Sequence, residues 1–186
     1  LQHINGDDLV DYFNEKDVKL VKTIEEVIKS FITVCDPLQH VHDKHFIHCD
    51  LKPGHLILNQ KTGLVHIIDF ELAIKRGGII KGISKEHASP EQLQMLNYLK
   101  DLPRKVHYEA ISSTVRLDGK TDLYSLGLIL YQIVTKKLWQ TEKVLPSKIN
   151  SHISQKLEEI VSGLLEANPA HRIPSAEELK KALCSI

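Results

Sequence analysis

FIHCDLKPGHLILNQKTGLVHIIDFELA, residues 46–73, decides how this chain is read. Two short apolar runs, HLILN (55–59) and LVHII (64–68), flank QKTG (60–63), which is the pattern of a β-hairpin closed by a turn containing glycine. A hairpin folds the chain back on itself. Asp50, just before the first strand, and Asp69, just after the second, are therefore expected at the same end of it, with Lys52 beside them.

Outward from the hairpin the periods are helical. DDLVDYFNE (7–15) places Leu9, Val10 and Phe13 on one face of a short helix. Thr23 and Glu26 form a capping-box pattern, followed by apolar Ile24, Val27, Ile28, Phe31, Val34, Leu38 and Val41, so a long amphipathic helix is expected to end near His42. Pro37 lies inside it and predicts a kink, because it cannot donate to the carbonyl of Thr33. Between residues 71 and 89 the periodicity vanishes and Gly77, Gly78 and Gly82 appear, which reads as a long functional loop. A helical piece over 90–99 precedes a polar linker to about residue 119. TDLYSLGLILYQIVT (121–135) is apolar on nearly every side and reads as a central buried helix with Thr121 as its N-cap. Leu157, Ile160, Val161, Leu164 and Leu165 form a further stripe stopped by Pro169, and Ser175 with Glu178 opens a last helix by a capping box. The fold class expected is α+β, mostly helical, as a single domain over residues 1–186.

Bulk composition narrows the function. Lys plus Arg equals Asp plus Glu, 24 each, so no net field attracts nucleic acid or anionic lipid, and neither is expected as a partner. The longest apolar segment, Leu123 to Val134, is too short to span a bilayer, and LQHINGDDLV lacks the basic and apolar regions of a secretory signal. Cys35, Cys49 and Cys184 show no CxxC spacing and suit a reducing compartment, so a cytoplasmic location is expected.

The polar groups around the hairpin admit two chemistries. Phosphoryl transfer asks the protein for positioning and charge neutralisation: one carboxylate to orient the attacking hydroxyl, a second to hold Mg²⁺ on the phosphates, and a cation near the transferred group. Asp50, Asp69 and Lys52 can fill those parts. His40, His42, His45, His48, Cys49 and His55 also make a ligand-rich set that suits a transition metal, though without tight ligand spacing.

Five motifs, in order, make the first chemistry specific. HCDLKPGHLIL resembles the catalytic loop of protein kinases, H-R-D-L-K-P-x-N, and IDFELA resembles the metal-binding D-F-G. HASPEQ is similar to the A-P-E that closes the activation segment, here residues 69–91. DLYSLGLILYQIVT resembles the buried D-x-x-S-x-G helix, and LLEANPAHRIPSAEEL the final helices of the family. The chain thus resembles the C-terminal lobe of a eukaryotic-type Ser/Thr protein kinase over nearly all its length. The resemblance implies ATP and Mg²⁺ as cofactors and a protein as substrate. It implies Asp50 as catalytic base, Lys52 at the transferred phosphate, Asp69 on Mg²⁺ and His48 bracing the loop. Asp122 would hold that loop from below, and Glu91 and Arg172 would form a buried ion pair. Ser84 falls where the family places a threonine that bonds the catalytic Asp and Lys.

Departures from the pattern leave three functions open. Cys49 stands for the Arg of H-R-D, which in the family answers a phosphorylated loop. His55 stands for the Asn that binds a second metal, and imidazole is a poor ligand for Mg²⁺, so Mn²⁺ is an alternative. Glu71 stands for the Gly of D-F-G and is expected to share metal binding with Asp69. No glycine-rich loop and no V-A-I-K strand occur in the 186 residues, so the resemblance implies an N-lobe missing here and expected in a parent chain. A Ser/Thr protein kinase lobe is the first reading, with transfer requiring the complete protein. A pseudokinase acting as a binding or scaffolding module is the second, and a small-molecule kinase, which often shows D-F-E, is the third. The stretch NYLKDLPRKVHYEAISSTVRLDGK (97–120) is long for its place and reads as a recognition element.

Overall fold

The structure, a computed structural model, describes residues 6–16, 21–101 and 114–186. Its centre is the helix α4, Gly119–Thr135, in which all but three residues are buried. A helix so enclosed has no polar face to spare, which is why its sequence is apolar all round. Its N-cap is Asp118, whose carboxylate accepts the Lys120 N–H at 2.9 Å, and not Thr121 as the sequence suggested. Gly119, at the first helical position, reads as a breaker in sequence. Here it is required, because a Cβ there would lie 2.6 Å from Nδ1 of His42.

Helix α2, Val21–Asp43, packs its apolar face against α4 and against the last helix, α8, Ala176–Cys184. It runs through Pro37 as one helix and already contains Thr23, so Thr23 lies within the first turn and does not cap it. At α8 the Ser175 half of the expected capping box forms, with Ser175 Oγ accepting the Glu178 N–H at 3.1 Å, while the Glu178 carboxylate pairs with Lys181 at 2.8 Å. Helix α7, Gln155–Leu164, lies against α4 so closely that a Cβ on Gly127 would meet Cβ of Leu164 at 2.7 Å. Short helices α5, Trp139–Glu142, and α6, Pro146–Ile149, link α4 to α7. The helix α1, Leu9–Asn14, is capped by Asp8, whose Oδ1 accepts from Val10 and Asp11 N–H groups. Burial pushes the Asp8 carboxyl above the usual carboxylate range, against the lowering effect of those two N–H groups.

The hairpin forms from β3, Leu56–Asn59, and β4, Leu64–Ile67, paired antiparallel with Leu56 opposite Ile67 and Asn59 opposite Leu64. Gly63 takes φ +71° in its turn, and Asn59 Oδ1 accepts the Lys61 N–H. Two strand pairs escaped the sequence reading because each contributes only two residues. Strand β1, Asp7–Asp8, adds to β3, and β2, Phe46–Ile47, pairs with β5, Ile74–Lys75, so the stretch 71–89 is not wholly loop. Helix α3, Pro90–Asp101, extends the expected 90–99 piece. Half of the proposed recognition stretch 97–120, residues 102–113, lies outside the described residues. Among the described residues no helix is long and apolar enough to cross a membrane.

Candidate active site

The site is held from below by one carboxylate. Asp122, fully buried in the first turn of α4, accepts the backbone N–H groups of His48 and Cys49 at 2.9 Å each. The same carboxylate accepts from Nε2 of His42 at 2.8 Å. Three donors on one buried carboxylate satisfy a charge that burial alone would make costly. The loop that follows β2 is thereby fixed to the buried central helix.

His48 completes the brace. A carbonyl can only accept, so the His48 ring donates Nε2–H to the Ile68 carbonyl at 2.9 Å, leaving Nδ1 to accept the Asp50 N–H at 3.3 Å. One imidazole thus ties the segment bearing Asp50 to the segment bearing Asp69, with its ring centroid 4.7 Å from that of Phe70. Cys49 sits between them in the left-handed region, φ +65°, a conformation that costs a side-chain-bearing residue energy and persists only when its surroundings fix it. Burial pushes the Cys49 thiol far up, with Asp122 and Asp50 adding to the effect, so it is inert as a nucleophile.

Asp50 emerges at the top of this scaffold, 7% exposed. Its Oδ2 lies 3.2 Å from Nζ of Lys52, and that ammonium is 3.5 Å from Oγ of Ser84, which joins the loop bearing Asp50 to the stretch 69–91. Its Oδ1 is buried and accepts no hydrogen bond among the described residues. Most buried polar atoms have a partner, and in this anchored loop the Asp50 Oδ1 is left as an unsatisfied acceptor.

Across the hairpin, Asp69 adopts φ +61° and leaves its carboxylate about half exposed. His55, 6% exposed, lies between the two aspartates. Its Nδ1 is 2.7 Å from the Asp50 carbonyl oxygen and 3.7 Å from Oδ2 of Asp50, and its Nε2 is 3.3 Å from Oδ2 of Asp69. Glu71 is exposed and has no left-handed φ, so a side chain in place of glycine is tolerated there. Its N–H donates to Asp69 Oδ1 at 3.3 Å and its carbonyl accepts from Lys81. Among the described residues no three His, Cys, Asp or Glu side chains converge as a metal cluster, so Glu71 closes no third position on the His55–Asp69 pair. The donors present still fit Mg²⁺, which is bound through one or two carboxylates with substrate phosphates and water supplying the rest. The wider histidine set does not converge: His42 is engaged by Asp122 and His48 by Ile68.

Glu91 and Arg172 meet in a two-pronged ion pair, Nη1 to Oε1 at 2.8 Å and Nη2 to Oε2 at 3.1 Å. Thr121 Oγ1 donates to the same carboxylate, and Arg172 also donates to the carbonyls of Lys120 and Glu166. The pair fastens the end of the stretch 69–91 to the helices beneath. Gln92, which the sequence did not single out, does the same from the neighbouring position. Fully buried, it donates to the Cys49 carbonyl at 2.6 Å and accepts the Ser89 N–H. Its place in SPEQ beside Glu91 was the only available signal.

A family model described as a protein kinase domain matches residues 1–183. The chain belongs to the protein kinase domain family. It is 32% identical to the serine/threonine-protein kinase PknD of Chlamydia trachomatis, over 88% of this chain and 20% of that one. Pkn1 of Myxococcus xanthus is 29% identical over 84% of this chain and 23% of its own length. The serine/threonine-protein kinase ATG1a of Arabidopsis thaliana is 30% identical over 95% of this chain and 28% of its own length. The chain thus spans between a fifth and just over a quarter of these relatives.

Proposed function

We propose that this chain carries the phosphoryl-transfer centre of a Ser/Thr protein kinase, which in its complete protein moves the γ-phosphoryl of ATP to a protein hydroxyl. The observation that carries this reading is the orphaned Oδ1 of Asp50, buried and fixed, with its partner oxygen on Lys52. A substrate hydroxyl docked at this carboxylate donates to it, and Asp50 takes its proton as the oxygen attacks phosphorus. Lys52 places a positive charge beside the base, where negative charge on the transferred group needs neutralising. Ser84 holds that ammonium toward the activation segment. Asp69, with His55 next to it, is the residue that would hold the metal ion, whose charge neutralises the phosphates. Gln92 and the Glu91–Arg172 pair keep the protein-substrate side of the site in register with Asp50.

The reading as a binding module draws on His55, which fills the position of an oxygen ligand with a ring touching both aspartates. Calorimetry of ATP with Mg²⁺ or Mn²⁺ on the full-length protein, followed by transfer to a generic protein acceptor, separates the two. Metal-dependent binding that Asp69→Ala abolishes, together with transfer that Asp50→Asn abolishes, supports the enzyme. Binding without transfer in the unmodified protein supports the module.

A further inference from the structure

His55 sets an imidazole between the carboxylates of Asp50 and Asp69, and its hydrogen bonding is decided by geometry. The Asp50 carbonyl can only accept, so at 2.7 Å the ring must present Nδ1–H to it. In the neutral ring Nε2 then carries a lone pair, and it faces Oδ2 of Asp69 at 3.3 Å. That separation is longer than the about 2.7–2.9 Å of a charge-assisted hydrogen bond. It does match two ligand atoms of one cation: at about 2.1 Å from the ion, neighbouring ligands stand about 3.0 Å apart at octahedral angles and about 3.4 Å apart at tetrahedral ones. Two lone-pair atoms at this distance repel unless a positive centre, a proton or a metal ion, lies between them.

The ring is also held as a metal-binding imidazole is held. Its far nitrogen is bonded to a backbone carbonyl, it is 6% exposed, and its centroid lies 5.7 Å from that of His48. The Asp69 side of the pair is open to solvent, leaving room for phosphate oxygens and water. We propose that His55 and Asp69 form a mixed nitrogen–oxygen ligand pair that takes Mn²⁺ in preference to Mg²⁺. The physical cause is donor type: Mg²⁺ takes oxygen, whereas imidazole nitrogen suits first-row transition cations. The inference rests on the phosphoryl-transfer reading and specifies the metal of that same site.

Pulsed EPR of Mn²⁺ on the full-length protein, labelled with ¹⁵N-histidine and mixed with ATP, tests it without reference to turnover. The expected spectrum shows the ¹⁵N coupling of a directly bound imidazole, which His55→Asn removes while Mn²⁺ still binds. Bound Mn²⁺ without ¹⁵N coupling in the unmodified protein overturns the ligand pair, leaving an imidazolium paired with Asp69, and leaves the phosphoryl-transfer reading standing if Asp69→Ala releases the metal. Absence of both bound Mn²⁺ and bound ATP overturns both.

Discussion

Asp122 accepts the backbone N–H of His48 at 2.9 Å, across 74 residues of chain, and so makes the buried helix the foundation of the loop that carries Asp50. Its other oxygen does the same for Cys49. Replacing Asp122 with Ala leaves two buried N–H groups without acceptors, each costing about 1–3 kcal/mol. Urea unfolding of Asp122→Ala is therefore expected to show a loss of about 3 kcal/mol or more. Under conditions where the variant stays folded, transfer should still be lost, because Asp50 follows Cys49 directly.

The Glu91–Arg172 pair predicts an asymmetry. Removing one partner leaves an uncompensated buried charge, so Arg172→Ala is expected to lose about 3–5 kcal/mol in chemical denaturation. The double change Glu91→Leu with Arg172→Met should recover part of that loss. A double variant no more stable than Arg172→Ala would contradict the account, since it would mean that the charge left behind carried no penalty.

Helix α4 touches α7 at Gly127. Gly127→Ala gains helix propensity of about 1 kcal/mol, but its Cβ must push against Cβ of Leu164, an atom next to the backbone with no freedom to swing aside. Overpacking of this kind costs about 1–3 kcal/mol. A net fall in melting temperature is predicted, where the same substitution at an open helical position would raise it.

Burial lowers the pKa of His87 below the ordinary imidazole value. The folded state therefore resists protonation while the unfolded chain accepts it. The stability this group confers is present above pH 6.5 and is lost as pH falls from there through the lowered folded value. The slope of unfolding free energy against pH just below 6.5 should flatten in His87→Gln. A slope unchanged by the substitution would assign the acid sensitivity to other groups.

The hairpin and the motif order were legible because period two and a glycine turn are local signals. Once Leu56 pairs with Ile67, His55 and Asp69 are brought to the same end. The buried helix was equally plain, but its start was not. Asp118–Gly119 looks like a turn, and only the approach of His42 shows why a glycine opens the helix. The paired strands at residues 7–8, 46–47 and 74–75 are too short for any period to register. Gln92 was hidden for a different reason: spacing identifies an amide but not the carbonyl, 43 residues away, that it bonds. Glu71 was read as a metal partner from its charge and position, and the structure leaves it exposed on the turn after Asp69.

The most direct test of the account is single-turnover transfer of labelled γ-phosphoryl from ATP to protein by the full-length protein, with and without Asp50→Asn. The account predicts transfer in the unmodified protein and a loss of at least about 10²-fold in the variant, the contribution typical of a positioned general base, with ATP binding retained. Equal transfer by the two proteins would contradict it, because the carboxylate of Asp50 would then have no part in the reaction.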